Sequence, residues 1–398
     1  MLQRESMPSH ISPQLVYDFD YRAIAGANDD IFVELKKLQE KPAIFWTRKN
    51  GGHWVITRGQ YIQEILANSR DFSSRSVAIP VMSRAKFLPA EADANDFKAL
   101  RQFTNKLFSP DSIARATEDA RWRAQSQIDR IYSLGHCEFM SEFADKISLP
   151  VFLKMCGLEP KDHSILFDWY KNPTPTYIGD LERHFIAYAA QRREHPNDDF
   201  MSRLVQSDIN GRKLTDSECA SMAIGIILGA LDTVANSLGW MIYFLGKNPG
   251  HRQQLIDEPQ LMQNAIHELL RRFSVSSTAR IVANDTVFHE VEMRAGDPVS
   301  LLTCMQGLDE SIFENAMTVD FSRKNADQHL AFSRGAHSCP GQNLALAEIR
   351  VFLEEWLQRI PHYEINGHVH AGVKAIIFNI FSLPIRWPTT HRDNFRNS

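Results

Sequence analysis

One of the five cysteines in this chain, Cys339, lies in a setting that favours metal binding. Gly335 and Gly341 bracket it, and an apolar helical pattern follows directly. Glycines allow a tight turn and a close approach of the backbone to a flat ligand. Backbone N–H groups and a helix N-terminus stabilise a thiolate, the form of cysteine that binds metals. We therefore predict that Cys339 is a metal ligand. Small buried apolar positions suit the other four, Cys137, Cys156, Cys219 and Cys304.

An acid and a hydroxyl, Asp232 and Thr233, interrupt a long apolar helical pattern over residues 221–244. Such groups are costly inside an apolar helix unless they are hydrogen-bonded. One interpretation is that Thr233 bonds back to its own helix and Asp232 is satisfied nearby. The other is that the pair delivers protons inside a dry pocket, which is the work of a general acid and its relay.

A second acid pairs with a base on another predicted helix. Glu268 and Arg271 are three residues apart and therefore share one helix face. Most such pairs are solvated ion pairs that contribute little to stability. The spacing alone does not decide between that interpretation and a buried structural pair.

The elements that must position these residues are mostly helical. Ala43–Thr47 and His53–Thr57 read as a hairpin, and the rest of the first 80 residues as short strand-like runs and turns. Residues 281–303 and 376–387 are strand-like again. The sequence predicts one large, mainly α domain over 1–398 with a minor β portion, and residues 1–13 as a flexible tail. Apolar residues recur at helical intervals over 97–108, 114–132, 141–155, 181–193, 216–245, 259–273 and 343–359.

Composition excludes several classes of function. The net charge of −4 is dispersed, so we expect no nucleic-acid partner. The cysteines form no paired motif, which favours a reducing cytoplasm. Ile224–Leu231, the longest apolar stretch, is too short to span a bilayer. We expect a soluble cytoplasmic monomer without membrane association.

The cysteine loop resembles that of the cytochrome P-450 superfamily, which reads Phe-x-x-Gly-x-His/Arg-x-Cys-x-Gly. Two residues depart from the usual pattern. Ser333 stands where glycine is usual, and Pro340 removes a backbone N–H that would otherwise lie near the sulfur. For Pro340 we expect altered redox tuning rather than loss of binding. The motif positions are filled by Phe332, Gly335, His337, Cys339 and Gly341.

This resemblance implies a triangular prism of helices around a buried haem b, with Cys339 as the iron ligand. A thiolate ligand favours O–O cleavage. The resemblance also implies that Arg101, Arg280 and His337 hold the haem propionates. Glu268 and Arg271 would form a buried structural network.

On the opposite haem face, the resemblance places the motif that includes Ala230, Asp232 and Thr233. There the helix opens locally and makes a groove for dioxygen. Thr233 would hydrogen-bond the oxygen species, and Asp232 would relay solvent protons to it.

The resemblance covers nearly the whole chain and is closest to the bacterial camphor-hydroxylating branch. It implies O2 as co-substrate and electrons from a [2Fe–2S] ferredoxin served by an NADH-dependent flavoprotein reductase. Lys98, Arg101 and Lys106 would offer that ferredoxin positive charge. The segments that match this branch are 46–54, 231–234, 268–274, 307–310 and 319–323.

The pocket implied by the resemblance differs in one residue that matters. Ala85 stands where camphor hydroxylases carry a tyrosine that binds the substrate ketone. Ser276 adds a hydroxyl, and Tyr177 is either a replacement donor or an ordinary packing residue. We expect a small apolar terpenoid or norisoprenoid of the camphor or ionone type. The remaining predicted pocket positions are apolar: Phe87, Leu228, Gly229, Val275, Ile376 and Ile377.

Two other functions remain open at this point. A haem-thiolate isomerase or dehydratase needs no reductase, but it also needs no acid–alcohol pair such as Asp232 and Thr233. A non-enzymatic haem sensor needs no such pair either, and no output domain is evident in the sequence. The monooxygenase hypothesis accounts for more of the motifs than either alternative.

Overall fold

Helices dominate the computed structural model, which describes residues 7–24, 30–81, 86–158, 166, 168 and 176–389. The predicted mainly α class is confirmed. The α-helices are α1 (Ile31–Lys36), α2 (Gly59–Ala67), α3 (Ala94–Leu107), α4 (Pro110–Ile131), α5 (Asp145–Met155), α6 (Tyr177–Glu194), α7 (Phe200–Gln206), α8 (Asp216–Leu231), α9 (Thr233–Lys247), α10 (Pro249–Asp257), α11 (Met262–Arg272), α12 (Cys304–Gly307) and α13 (Gln342–Arg359).

The strands are short and form one five-stranded sheet and several small ones. The larger sheet has the order β1-β2-β10-β7-β3, in which only β2 and β10 run parallel. The strands are β1 (Ile44–Thr47), β2 (His53–Ile56), β3 (Phe72–Ser73), β4 (His136–Glu138), β5 (Asp208–Ile209), β6 (Arg212–Lys213), β7 (Thr278–Val282), β8 (Thr286–Phe288), β9 (Val291–Met293), β10 (Pro298–Leu301), β11 (Glu364–Ile365), β12 (His370–Lys374), β13 (Ile377–Ser382) and β14 (Pro384–Arg386).

The predicted hairpin is present as β1 and β2. All eight strand residues are buried, and Trp46 lies opposite Trp54. The turn needs left-handed backbone at Asn50, Gly51 and Gly52, whose φ values are 53°, 88° and 80°. A Cβ on Gly52 would lie 2.8 Å from the Trp46 ring, so both conformation and space require glycine there.

Helix α4 shows how the core is built from the sequence pattern. Ser109 caps it by accepting a hydrogen bond from the N–H of Ser112, and Pro110 occupies the first turn. Small residues at intervals of four, Ala116, Ala120 and Ala124, are buried along one face. Helix α4 packs against α13, the helix that follows the cysteine loop.

The long apolar segment 216–247 is two helices rather than one, because the backbone leaves the helical conformation at Asp232 (φ −133°, ψ −8°). The side-chain N–H groups of Asn236 donate to the Asp232 carbonyl (2.9 Å) and to Oδ1 of Asn379 (3.0 Å). Its Oδ1 accepts the N–H of Ile380 (2.9 Å). Strand β13 therefore holds the interruption in place.

The same segment, Asp216–Lys247, is long and apolar enough to cross a membrane by length and composition alone. In the structure 61% of its most apolar window is buried against other parts of the chain. Burial by neighbouring helices explains the hydrophobicity of this segment without a lipid phase.

The expected flexible tail stays a prediction. Within it, Ile11 is buried and Nε2 of His10 lies 2.8 Å from a carboxylate oxygen of Asp297, whereas Ser9, Ser12 and Pro13 are exposed. Residues 1–6 lie outside the described part of the chain. The first 80 residues also contain α1 and α2, which begin at Ile31 and Gly59, so they are not only strands and turns.

Candidate functional site

Cys339 is exposed, whereas Cys137, Cys156, Cys219 and Cys304 are buried as expected. Burial nevertheless dominates the pKa of the Cys339 thiol and raises it, while the Gly341 N–H and the charge of Arg101 act in the opposite direction. The thiol is therefore accessible to a ligand, although the surrounding protein disfavours its charged form. The backbone of the loop is fixed there by a hydrogen bond from the Cys339 N–H to the Phe332 carbonyl (2.8 Å).

The two loop glycines are required by space. Gly335 has φ +74°, and a Cβ there would lie 2.8 Å from the carbonyl oxygen of Leu66 on α2. A Cβ on Gly341 would lie 3.3 Å from the Phe108 ring and 3.9 Å from Sγ of Cys339. Both glycines thus keep the loop close to its neighbours and the sulfur uncovered.

The two departures from the family loop have different structural consequences. Pro340 offers no N–H, so among residues 340 and 341 only Gly341 donates to the sulfur. Fewer donors leave more electron density on a thiolate, and the change in redox tuning stays a prediction. Ser333 adopts φ +60°, the left-handed conformation that favours glycine.

Replacing Ser333 by glycine is expected to raise the free energy of unfolding by about 0.5–1 kcal/mol. The left-handed conformation costs a residue with a side chain about 1–2 kcal/mol, and the greater freedom of glycine in the unfolded chain offsets part of the gain. Urea unfolding of the holoprotein measures the change. Ser338→Gly is the matched control, because Ser338 has φ −57° and glycine should destabilise there. Equal destabilisation by both variants would contradict the assignment of strain to Ser333.

The three residues predicted to hold propionates lie together in the structure. Burial, with the charges of Arg280 and Arg101 and against that of Asp93, lowers the pKa of His337 to about 4. Arg280 is buried, and burial lowers its pKa to about 10. Within the described ranges it forms no salt bridge, and Nη1 donates to the Ala279 carbonyl (2.7 Å).

Phe97 on α3 packs against the same cluster. Its ring centroid lies 3.9 Å from that of His337. Asp93, the carboxylate beside these cations, is already held by the Ser73 hydroxyl and by the Ser74 N–H (3.0 Å). The cluster therefore has more positive than negative charge, which suits a dianionic ligand.

These residues fit a haem. The donor set combines an accessible sulfur with two arginines, Arg101 and Arg280, that share one carboxylate, Asp93. On α8, Gly229 is exposed, and a Cβ there would meet nothing within 4 Å. A thiolate ligand, propionate partners and an open helix face are what a flat, dianionic iron cofactor requires. Ala230 and Phe332 are half-buried beside these features.

The distal pair lies at the break between α8 and α9. Asp232 is buried, and the Thr233 hydroxyl donates to the carbonyl oxygen of Gly229 (3.1 Å). The bond back to the helix, one of the two interpretations of Thr233, is thus present. It uses the hydroxyl hydrogen and leaves the oxygen able to accept another hydrogen bond.

Tyr177, at the start of α6, lies within electrostatic range of this pair. Burial, and then the negative charge of Asp232, raise the pKa of Tyr177 to about 12. Its phenol therefore stays protonated near neutrality and can donate a hydrogen bond. Tyr177 therefore lies near Asp232, and its role towards a substrate stays a prediction.

The other predicted pocket positions come from four parts of the chain. Ser276 is half-buried, its hydroxyl lies 3.4 Å from the Ala331 carbonyl, and its backbone pairs with Ile377. The carbonyl of Ile376 accepts hydrogen bonds from the N–H (2.8 Å) and the hydroxyl (3.0 Å) of Ser277. Ala85 lies outside the described residues. Leu228 and Phe87 are half-buried, whereas Val275 and Ile377 are buried.

Glu268 and Arg271 form the buried network that the resemblance implied. Both side chains are fully buried and joined by two hydrogen bonds of 2.7 and 2.8 Å. Arg271 also donates to the carbonyls of Gly307, Ala316 and Thr318. Glu268 accepts from Nε of Arg323 (3.0 Å) and from the N–H of Asp320 (3.0 Å). This network ties α11 to the segment that leads into the cysteine loop.

Sequence reasoning missed a buried acid on α13, Glu348. It is 2% exposed, and within the described residues its Oε1 has no hydrogen-bond partner. Burial raises the pKa of its carboxyl well above the ordinary value. Its only sequence signal is an acid among apolar residues on the inner face of α13, where Glu355 is also buried but is paired with Arg121.

Because the folded-state pKa of Glu348 is raised, its stability contribution is fully present below the unfolded pKa. That contribution is lost as pH rises through the folded pKa. Glu348→Gln should therefore gain stability relative to the wild type as pH increases above about 4.3, by at most about 1.4 kcal/mol per pH unit. Urea unfolding at several pH values checks this, with the exposed Glu258→Gln as control. A difference that does not vary with pH would contradict a neutral buried carboxyl.

Comparisons with known proteins agree with this site. A family model for cytochrome P450 matches residues 180–362. The chain is 32% identical over 404 residues to "Probable cytochrome P450 127A1" of Sinorhizobium fredii, covering 96% of this chain and 97% of that protein. It is 27% identical to "Methyl-branched lipid omega-hydroxylase" of Mycobacterium tuberculosis, over 90% of this chain and 91% of that protein.

Two solved structures are similar over nearly the whole fold. The crystal structure of CYP101J2 superposes with a TM-score of 0.86 at 28% identity and covers 96% of this chain and 100% of that one. That of CYP101C1 gives a TM-score of 0.87 at 27% identity with the same coverage.

Proposed function

This chain belongs to the cytochrome P450 family and is a haem b monooxygenase. From that premise we propose that it hydroxylates a small apolar terpenoid or norisoprenoid of the camphor or ionone type. The observation that carries the proposal is the open apolar face of α8 at Gly229, beside the Asp232–Thr233 break. Similarity to CYP101 structures supports the substrate class.

When bound, haem iron supplies the activation of dioxygen that lets these enzymes insert one oxygen atom into a C–H bond. Cys339 would hold the iron, and Arg101, Arg280 and His337 would hold the propionates. The Asp232 carboxyl would take up a proton from solvent near Tyr177 and pass it on towards Oγ1 of Thr233. The helix break keeps that hydroxyl beside Gly229, and the apolar lining excludes bulk water from it.

For the substrate itself, the described residues offer two candidate hydrogen-bond donors to a substrate oxygen and several apolar contacts. The Ser276 hydroxyl has a long, weak bond to Ala331 and can donate to a substrate oxygen instead. Phe87, Leu228, Val275, Ile376 and Ile377 would line the apolar body. Tyr177 is the second candidate donor.

We further propose a [2Fe–2S] ferredoxin with an NADH-dependent reductase as electron donor, and a soluble, cytoplasmic, monomeric protein organised as one haem domain. Lys98 and Lys106 on α3 are exposed and form no ion pair within the described part of the chain, so they are available to an acidic partner. Arg101 is half-buried and interacts with the thiol of Cys339, which favours its cofactor role over docking.

Optical titration of the ferric protein with camphor and ionones tests the substrate class. Binding should convert the haem from low to high spin, and reduction under carbon monoxide should give a Soret band at about 450 nm. The relatives include proteins named for a branched lipid and a steroid, so a branched fatty acid and a steroid belong in the same panel. A spin shift with those alone would replace the terpenoid proposal.

Thr233→Ala is expected to bind haem and substrate normally but to divert electrons to hydrogen peroxide. Product per NADH should fall at least tenfold, the lower side of the roughly 10²–10⁴-fold contribution of acid–base groups. Ser237→Ala, which removes a hydroxyl bonded to the Thr233 carbonyl on the same helix, is the control. Unchanged product per NADH in Thr233→Ala would remove the proposed proton delivery.

A further inference from the structure

One face of α8 is partly covered by a loop. Ser221, Gly225 and Gly229 are four residues apart and lie on the same side of the helix. The Ser221 hydroxyl donates to the Lys86 carbonyl (2.6 Å), and a Cβ on Gly225 would lie 2.6 Å from the Leu88 carbonyl. At Gly229 the face is open. Residues 86–88 therefore end about one helical turn, roughly 6 Å, before the open position.

A buried carboxylate fixes the backbone of this loop. Glu91 is 3% exposed, and its two oxygens accept hydrogen bonds from the N–H groups of Val77 (3.1 Å) and Phe87 (2.8 Å). The Glu91 N–H in turn donates to the Phe87 carbonyl (2.8 Å). One side chain thus joins residues 77 and 87, and charge-assisted hydrogen bonds are the stronger class.

The helix side and the carboxylate side hold the same short stretch of chain. Ser221 holds the carbonyl of Lys86, Glu91 holds the N–H of Phe87, and Gly225 allows the Leu88 carbonyl to approach. Phe87 is half-buried between these contacts and packs against the apolar core. Its backbone therefore has a set position beside Gly225, one helical turn before Gly229, since three consecutive residues are held.

We propose that Glu91 is a positioning residue that determines substrate orientation. Its carboxylate fixes the backbone of Phe87, and residues 87–88 end the covered part of the α8 face at Gly225. Glu91 thereby sets how far this loop reaches towards the open position at Gly229 and how much room an apolar substrate has there. This inference rests on the proposed function, because residues 86–88 act only on a ligand that is bound beside this face of α8. Without the carboxylate, the substrate can take several orientations.

Glu91→Gln is the test variant, because the amide places a donor against one of the two N–H groups. Camphor, α-ionone and phenylimidazole are the probes, and the exposed Glu258→Gln is the control. We expect an unchanged band at about 450 nm under carbon monoxide, but an approximately tenfold weaker spectral Kd for α-ionone. We also expect an altered ratio of hydroxylated products and less product per NADH. Equal Kd and an equal product ratio in variant and wild type would overturn the inference.

Ser221→Ala covers the case in which Glu91→Gln fails to fold. It removes the helix-side anchor of the same loop and should shift the Kd and the product ratio in the same direction, by a smaller factor. No change in Ser221→Ala together with an unfolded Glu91→Gln would give Glu91 a purely structural role and overturn the inference.

Failure of the proposed function is recognised separately, in the wild type. If neither terpenoid shifts the spin state there, the substrate class is wrong. The variants are then compared with phenylimidazole and with whichever larger probe binds. A weaker Kd in Glu91→Gln still supports the positioning role, and equal values overturn it.

Discussion

Cys339→Ser abolishes monooxygenase activity and moves the reduced carbon monoxide band from about 450 to about 420 nm. The reason is that a serine oxygen cannot replace the strong electron donation of a thiolate to iron. The Gly341 N–H and Arg101, which counteract the effect of burial on the thiol, would then face a neutral hydroxyl. Product analysis with the purified ferredoxin system and the carbon monoxide spectrum measure both effects.

Cys137→Ala is the matched control for this prediction. Cys137 is buried on β4, and burial raises the pKa of its thiol, so it is an apolar packing residue. It should keep the band at about 450 nm. Retention of that band in Cys339→Ser, or its loss in Cys137→Ala, would show that another residue binds the iron.

Arg271→Ala should lower the free energy of unfolding by about 3–5 kcal/mol and release haem. Removing one partner of a buried ion pair leaves the other charge without compensation. Here three carbonyls, those of Gly307, Ala316 and Thr318, would lose a donor as well. Urea unfolding and the haem content of the purified protein give the two measurements. Arg271→Lys should rescue little, because an ammonium cannot form the planar double contact to Glu268.

The control for this effect is the exposed pair of Arg386 and Glu364, whose side chains are 59% and 60% accessible. Arg386→Ala should change the free energy of unfolding by less than about 1 kcal/mol, as is usual for surface pairs. Comparable effects of Arg271→Ala and Arg386→Ala would mean that the buried network does not stabilise the cysteine-loop region.

Local patterns carried much of the fold and the cofactor side of the site. Turn residues predicted the β1–β2 hairpin, and helical periodicity predicted the mainly α class. The haem cofactor followed from the resemblance of the loop around Cys339. Each of these patterns lies within a short stretch of the chain. Arg101, Arg280 and His337 come from three distant segments, and only the family resemblance could bring them together. The named hydroxylases and monooxygenases among the relatives favour a monooxygenase over the isomerase, dehydratase and sensor alternatives.

What the sequence could not reveal depends on contacts between distant segments. Glu91 looks like any loop acid, since nothing local shows that Val77 and Phe87 donate to it. Gly225 reads as a weak point in a helix until the Leu88 carbonyl is found against it. The strain at Ser333 is a matter of backbone angle, which residue type alone does not specify. Long-range packing decided each of these.

The asparagine pair Asn236 and Asn379 has a consequence for laboratory evolution of this enzyme. Asn379 lies two residues after Ile377, a predicted pocket residue, and also bonds the Ile377 carbonyl (2.7 Å). Mutations at Ile377 that reshape the predicted pocket to admit new compounds therefore move β13, which also supports the helix interruption at Asp232. Broadened selectivity and efficient use of reducing equivalents should trade off there, so selection schemes that score product alone would accumulate wasteful variants. Changes at Phe87, which lies on the separate loop held by Glu91, offer a route that leaves β13 in place.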